Sequence, residues 1–121
     1  MYRLLLCLVL VTSTLATPRS AAAAVTDFYD TVDAVEYSKR DPNGLSNATL
    51  HVRGVLSGGS APVTRAYVFI NTASTTEGPE LAMHCHRLAV LAMSKPGKFQ
   101  FAIGPGPSTS ATGCKLTLVT P

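Results

Sequence analysis

Apolar and polar residues alternate with a period of two through most of this chain, and the pattern switches once to the period of a helix. ATLHVRGV (48–55) sets Leu50 and Val52 against His51 and Arg53, the signature of a strand with one buried face. TRAYVFIN (64–71) alternates Ala66, Val68 and Ile70 against Arg65, Tyr67 and Phe69, and its aliphatic set is read as the core face. TVDAVEY (31–37) predicts a first strand, with VTDFYD (25–30) as its lead-in. KFQFAI (98–103) puts Phe99, Phe101 and Ile103 on one side, and CKLTLVT (114–120) does the same for Cys114, Leu116 and Leu118.

The period changes in PELAMHCHRLAVLAMSK (79–95). There Leu81, Cys85, Leu88 and Ala92 fall at i, i+4, i+7 and i+11, one stripe of a helix. Pro79 suits a first helical position with Gly78 as cap, and Pro96-Gly97 forces the stop. Ala82, Ala89, Leu91 and Met93 widen the apolar arc, which predicts a largely buried helix. Turn chemistry fills SKRDPNGLSN (38–47) and LSGGSAPV (56–63), and GPGPSTSATG (104–113) reads as a long uncharged loop.

The predicted order is three strands, a helix and two strands. That order and those lengths resemble the OB-fold, a mainly β architecture in which five short strands form a Greek-key barrel and one helix sits between strands 3 and 4. The alternative is an open antiparallel sheet with one packed helix. The OB resemblance implies a ligand face over strands 2 and 3, flanked by the loops at 38–47 and 104–113.

The first 24 residues do not fit this pattern. A cationic start at Arg3, an apolar run from Leu4 to Val11 and a small-residue stretch ending in SAAAA before Val25 make the layout of a secretory signal peptide. Cleavage after Ala24 fits the small-residue rule best, and Ala16 offers a second position. The apolar run is shorter than the roughly 20 residues a bilayer span needs. The expectation is a secreted or periplasmic single domain over 25–121, with no membrane span after cleavage. Of the ten Lys and Arg residues, Arg3 and Arg19 leave with the leader, so eight basic residues face seven acidic ones. That near-balance removes the electrostatic case for a nucleic-acid partner. Asp27, Asp30, Asp33, Glu36 and Asp41 crowd the first segment, and the run at 27, 30, 33 and 36 reads as a solvated edge.

Loss of Cys7 with the leader leaves Cys85 and Cys114, which in an exported chain are expected to form one disulfide. MHCH (83–86) at first resembles a metal or thiol site. On a helix, however, His84 and His86 project about 160° apart and cannot share an ion. Glu80, one turn before His84, offers that imidazole a partner, and His86 reads as solvated. A copper-binding or hydrolytic protein built on His51, His84 and His86 is kept only as a minor alternative, since no catalytic motif supports it. No metal and no cofactor is expected.

The stronger candidate is a surface. With the aliphatic sets inward, strands 2 and 3 would present His51, Arg53, Arg65, Tyr67 and Phe69 together, with aromatic rings to stack and guanidinium groups to hold anions. This predicts a non-enzymatic module binding a carbohydrate (glycan) or a protein partner. Against it stands a structural reading in which Tyr67 and Phe69 pack under the N-terminal segment near Phe28 and Tyr29. The alternative function is a structural or inhibitory subunit of a secreted oligomer, including a homo-oligomer.

Overall fold

A computed structural model of the chain describes residues 25–40, 47–70, 77–106 and 110–120. The leader expected at 1–24 and the centres of the two flanking loops, 41–46 and 107–109, lie outside them. The elements are β1 (Val25–Arg40), β2 (Asn47–Leu56), β3 (Pro62–Phe69), α1 (Glu77–Ser94), β4 (Phe99–Gly106) and β5 (Gly113–Leu118). The strands form one antiparallel sheet in the order β3-β2-β1-β4-β5, and all six elements contribute to one core.

The sheet is not closed, so the open-sheet alternative describes it and the expected closed barrel does not. β3 and β5 are its two edges, and no ladder joins them. They nevertheless approach each other through the segment before β5, where the Ala111 N–H donates to the Val68 carbonyl at 2.8 Å.

β1 causes the curl. It begins at Val25, so the expected lead-in is already strand, and it pairs first with β4 and then with β2. Its register against β2 slips between Tyr29 and Thr31 and again between Val32 and Ala34. Asp30 and Asp33 are the extra residues at these two bulges, and each bulge bends the strand and increases its twist. Gly54 accommodates the bend on β2: a Cβ there would lie 2.0 Å from the Thr31 carbonyl oxygen. The acidic run of the sequence is thus only partly a solvated edge. Asp30, Asp33 and Glu36 are exposed, but Asp27 is 7% exposed and lies inside.

On β2 the expected faces hold, with Leu50 and Val52 fully buried and His51 and Arg53 exposed. On β3 they are reversed. Residues directly opposite in an antiparallel pair share a face. Here Tyr67 pairs with Leu50, Phe69 with Ala48, and Arg65 with Val52. Tyr67 and Phe69 therefore enter the core at 0% exposure, while Ile70 is left 46% exposed. Ring area decides the choice, because burying two aromatic side chains removes more apolar surface from water than burying Ala66 and Val68.

The helix covers the concave side. Its buried line runs Gly78, Ala82, Cys85, Ala89 and Ala92, so small side chains let it settle closely on the sheet. Leu81 and Leu88 of the predicted stripe pack on the flanks instead. Gly78 lies inside the helix rather than capping it, and Glu77 and Glu80 in the first turn complement the helix dipole. The helix is less buried than its composition predicts, since Val90, Leu91 and Met93 face outward. Gly97, at φ 78°, turns the chain into β4.

One covalent link ties helix to sheet. Cys85 and Cys114 form the expected disulfide, with Cα atoms 5.6 Å apart, across a sequence separation of 29 residues. It fixes the start of β5 beneath α1 and closes a loop worth about 3–4 kcal/mol in unfolded-state entropy.

Candidate functional site

The five residues expected to form one ligand face divide between two. Arg65, Tyr67 and Phe69 point to the core side of the sheet, and His51 and Arg53 point to the outer side. Tyr67 and Phe69, fully buried, offer no surface for stacking.

Tyr67 instead joins a polar chain inside the curl. Its hydroxyl donates to Asp27 Oδ2 at 2.6 Å, and Arg65 Nη1 donates to Asp27 Oδ1 at 2.5 Å. The Tyr29 and Tyr67 hydroxyl oxygens are 2.8 Å apart. Since Tyr67 has one hydroxyl proton and gives it to the carboxylate, Tyr29 must be the donor in that contact. The order is therefore Tyr29 to Tyr67 to Asp27, with Arg65 closing the far end. Burial raises the Tyr67 phenol far above its ordinary value of 10, assisted by its bonds to Asp27 and Tyr29. Burial also raises Tyr29, and the bond to Asp27 raises the Arg65 guanidinium. Neither phenol can supply a phenolate near neutral pH.

This chain links β1 to β3 through the core side of the curled sheet, over the intervening strand β2. Gly106 at the end of β4 lies against the same ring, where a Cβ would come within 2.6 Å of two Tyr67 ring carbons. Each carboxylate oxygen of Asp27 already has a protein donor, so the cluster is built as a clasp. The packing of Tyr67 beside the N-terminal segment is the structural reading, with Tyr29 rather than Phe28 as the neighbour.

The outer face is open to solvent and carries two grooves. The first, of about 360 Å³, crosses β1, β4 and β5. Phe28, 47% exposed, forms one wall. Ala102, Gly104 and Gly113 form the floor, so much of it is bare backbone. Thr26 and Thr112 supply hydroxyls, and Lys115 is the one charged side chain lining it among the described residues. Lys115 stands opposite Ala102 in the β4–β5 ladder and makes no ion pair among the described residues. The rigid backing comes from below: Cys114, beside Lys115, is the residue bound to the helix.

The second groove, of about 340 Å³, lies over β1, β2 and β3. It contains His51 and Arg53 with Glu36 and Thr64. Glu36 is paired with His51 in the ladder, and Arg53 with Ala34 and Thr64. These two members of the expected set thus remain accessible together, beside a carboxylate.

The histidines of MHCH do not converge. His84 is exposed, and His86 is partly covered by an edge-on contact with Tyr37 at 6.4 Å between ring centres. His86, expected in solvent, is thus the more covered of the two. Among the described residues, no group of three or more His, Cys, Asp or Glu side chains is placed to hold a metal ion.

Lys115 falls on the outward face of CKLTLVT with nothing local to single it out, and reading VTDFYD as a lead-in leaves Phe28 outside the expected site. Its alternation held the signal: Thr26, Phe28 and Asp30 on one side, Asp27 and Tyr29 on the other. No helix among the described residues is long and apolar enough to cross a membrane. No family model, no curated protein and no solved structure matches the chain.

Proposed function

We propose that this chain is an exported, non-enzymatic binding module of OB-like form, opened between β3 and β5, that takes a glycan on the outer face of its sheet. The observation that carries this reading is the groove at Phe28. An exposed aromatic wall beside a floor of one alanine and two glycines admits the flat C–H face of a sugar ring, while Thr26, Thr112 and Lys115 offer polar partners at its margin. Small-molecule sites combine an apolar lining with a few placed polar groups in this way, and the volume sits at the lower end of their range. The groove borders the β4–β5 connection, one of the two loops that flank ligand in OB-folds. The second groove, with His51 and Arg53, extends the face toward β3. The disulfide suits an oxidising compartment.

The test is a glycan array probed with the disulfide-bonded protein, its Phe28→Ala variant and its Gly113→Val variant. A Cβ at Gly113 meets nothing within 4 Å, so valine there extends into the groove without a backbone clash. Binding by the parent and its loss in both variants, with unchanged circular dichroism, is the expected result. Undiminished binding in both would remove the outer face from consideration.

A second reading, a subunit of a secreted oligomer, draws on the exposed Val90, Leu91 and Met93 of the helix. Light scattering of the purified protein distinguishes it: a stable oligomer dispersed by Leu91→Lys favours the subunit, and a monomer favours the module.

A further inference from the structure

We infer that the groove at Phe28 and Lys115 selects a pyranose bearing a carboxylate, bound with its acid group toward β5. This deepens the glycan reading above and rests on it. Four features converge. First, among the described residues Lys115 is the groove's only charged residue and has no internal partner. Its ammonium group can therefore turn to a ligand without breaking an existing pair. Second, no acid lines the groove among the described residues, so an anion entering beside Lys115 meets no opposing charge from them.

Third, the carboxylate of Asp30 stands outside the groove's lining and already has a donor in Gln100 Nε2 at 2.9 Å. Gln100 stands opposite Thr117, two residues along the ladder from the Ala102–Lys115 pair, a step of about 7 Å. The charge that lines the groove therefore sits on β5, which turns the acid group of a bound ring toward that strand. Fourth, the floor at Gly104 and Gly113 lets a ring approach the backbone, with Phe28 at its side. A bulkier anion such as a branched phosphate ester would gain from Lys115 but lose the ring contact.

His51 and Arg53 do not provide the same chemistry. Their groove holds Glu36 directly beside His51, and its lining lacks an aromatic wall. Acid recognition therefore falls to Lys115 and not to the guanidinium expected from the sequence.

The experiment is a calorimetric or NMR titration of the disulfide-bonded protein with methyl glucuronoside and, in parallel, with methyl glucoside. The two probes differ in the carboxylate alone. Parent protein is expected to bind the glucuronoside about three- to tenfold more tightly, the range for one solvent-exposed charge-assisted contact. Raised salt should shrink that ratio. In Lys115→Ala the preference should vanish, glucuronoside affinity falling to the level of glucoside in the same variant, and Lys115→Arg should restore it. Asp30→Asn should raise glucuronoside affinity slightly and leave the glucoside as it was. Equal affinity for the two sugars in the parent would overturn acid selection while leaving the glycan reading standing. A parallel loss of both sugars in Lys115→Ala would also overturn it, since the lysine would then only support the groove. Absence of any response in the groove to either sugar would overturn both readings. Gly113→Val, which leaves Lys115 in place, should abolish binding of both.

Discussion

The order of donors in the clasp makes an unequal prediction for two otherwise similar substitutions. Tyr29 and Tyr67 are both fully buried, and each would lose only a hydroxyl on replacement by Phe. Tyr67, however, stands in the middle of the chain. Its removal takes a donor from Asp27 Oδ2 and an acceptor from Tyr29 at once. A hydrogen bond to a charged group contributes about 1.5–3 kcal/mol, and a buried hydroxyl left without a partner costs about 1–3 kcal/mol. Tyr67→Phe should therefore destabilise by about 3–4 kcal/mol. Tyr29→Phe removes only the terminal donor, and Tyr67 keeps its bond to Asp27, so its cost should be about 0.5–1.5 kcal/mol. The double variant sharpens the test. Once Tyr67 is Phe, deleting the stranded Tyr29 hydroxyl relieves a penalty, so the double variant should cost no more than Tyr67→Phe alone. Urea unfolding followed by far-UV circular dichroism is the suitable assay. The chain has no Trp, and tyrosine fluorescence would change with the substitutions themselves. Unchanged m-values would show that the folded and unfolded states are comparable. Equal costs for the two single variants, or simple additivity in the double, would refute the inferred donor order.

Three further outcomes follow from the same contacts. Tyr29 and Tyr67 have folded-state pKa values raised above the unfolded value near 10, so their stabilisation is complete below about pH 10 and is lost as pH rises beyond it. Stability should fall by up to about 1.4 kcal/mol per pH unit for each of the two, and their tyrosinate absorbance should appear only with loss of the far-UV signal; ionisation of both in the folded protein would contradict this. Removing the disulfide as Cys85→Ala/Cys114→Ala should lower stability by about 3–4 kcal/mol in denaturant titrations, and a change below about 1 kcal/mol would show that the link is incidental. Gly54→Ala should cost about 3 kcal/mol or prevent folding, because its Cβ would lie 2.0 Å from Thr31 O, whereas Gly113→Ala should be near neutral in the same denaturant titrations.

The sequence carried the element order, the helix, both faces of β2 and the disulfide, because each rests on a local period or on a simple count. Strand 3 was misread for a physical reason. Both its faces are apolar, and Arg65 marked the wrong one as outward. A cation ordinarily shuns the core side, but here Asp27 neutralises it at the rim, nearly forty residues away in sequence. Such a pairing is invisible until the bulges at Asp30 and Asp33 bring the start of β1 over β3. Closure was likewise beyond the pattern, since alternation specifies which face is buried and not whether two edge strands meet. Of the expected site, only His51 and Arg53 kept their exposure. Phe28 and Lys115 belong to strands that the order β3-β2-β1-β4-β5 makes neighbours through β4, a pairing that no local signal discloses.

The most direct measurement is an amide chemical-shift map of the disulfide-bonded protein titrated with a ligand glycan recovered from the array. Shifts centred on Thr26, Phe28, Ala102, Gly104 and Gly113 to Lys115 are the expected result. Shifts centred on β3 and the exposed face of α1, with those residues silent, would contradict a ligand site on the outer face of the sheet.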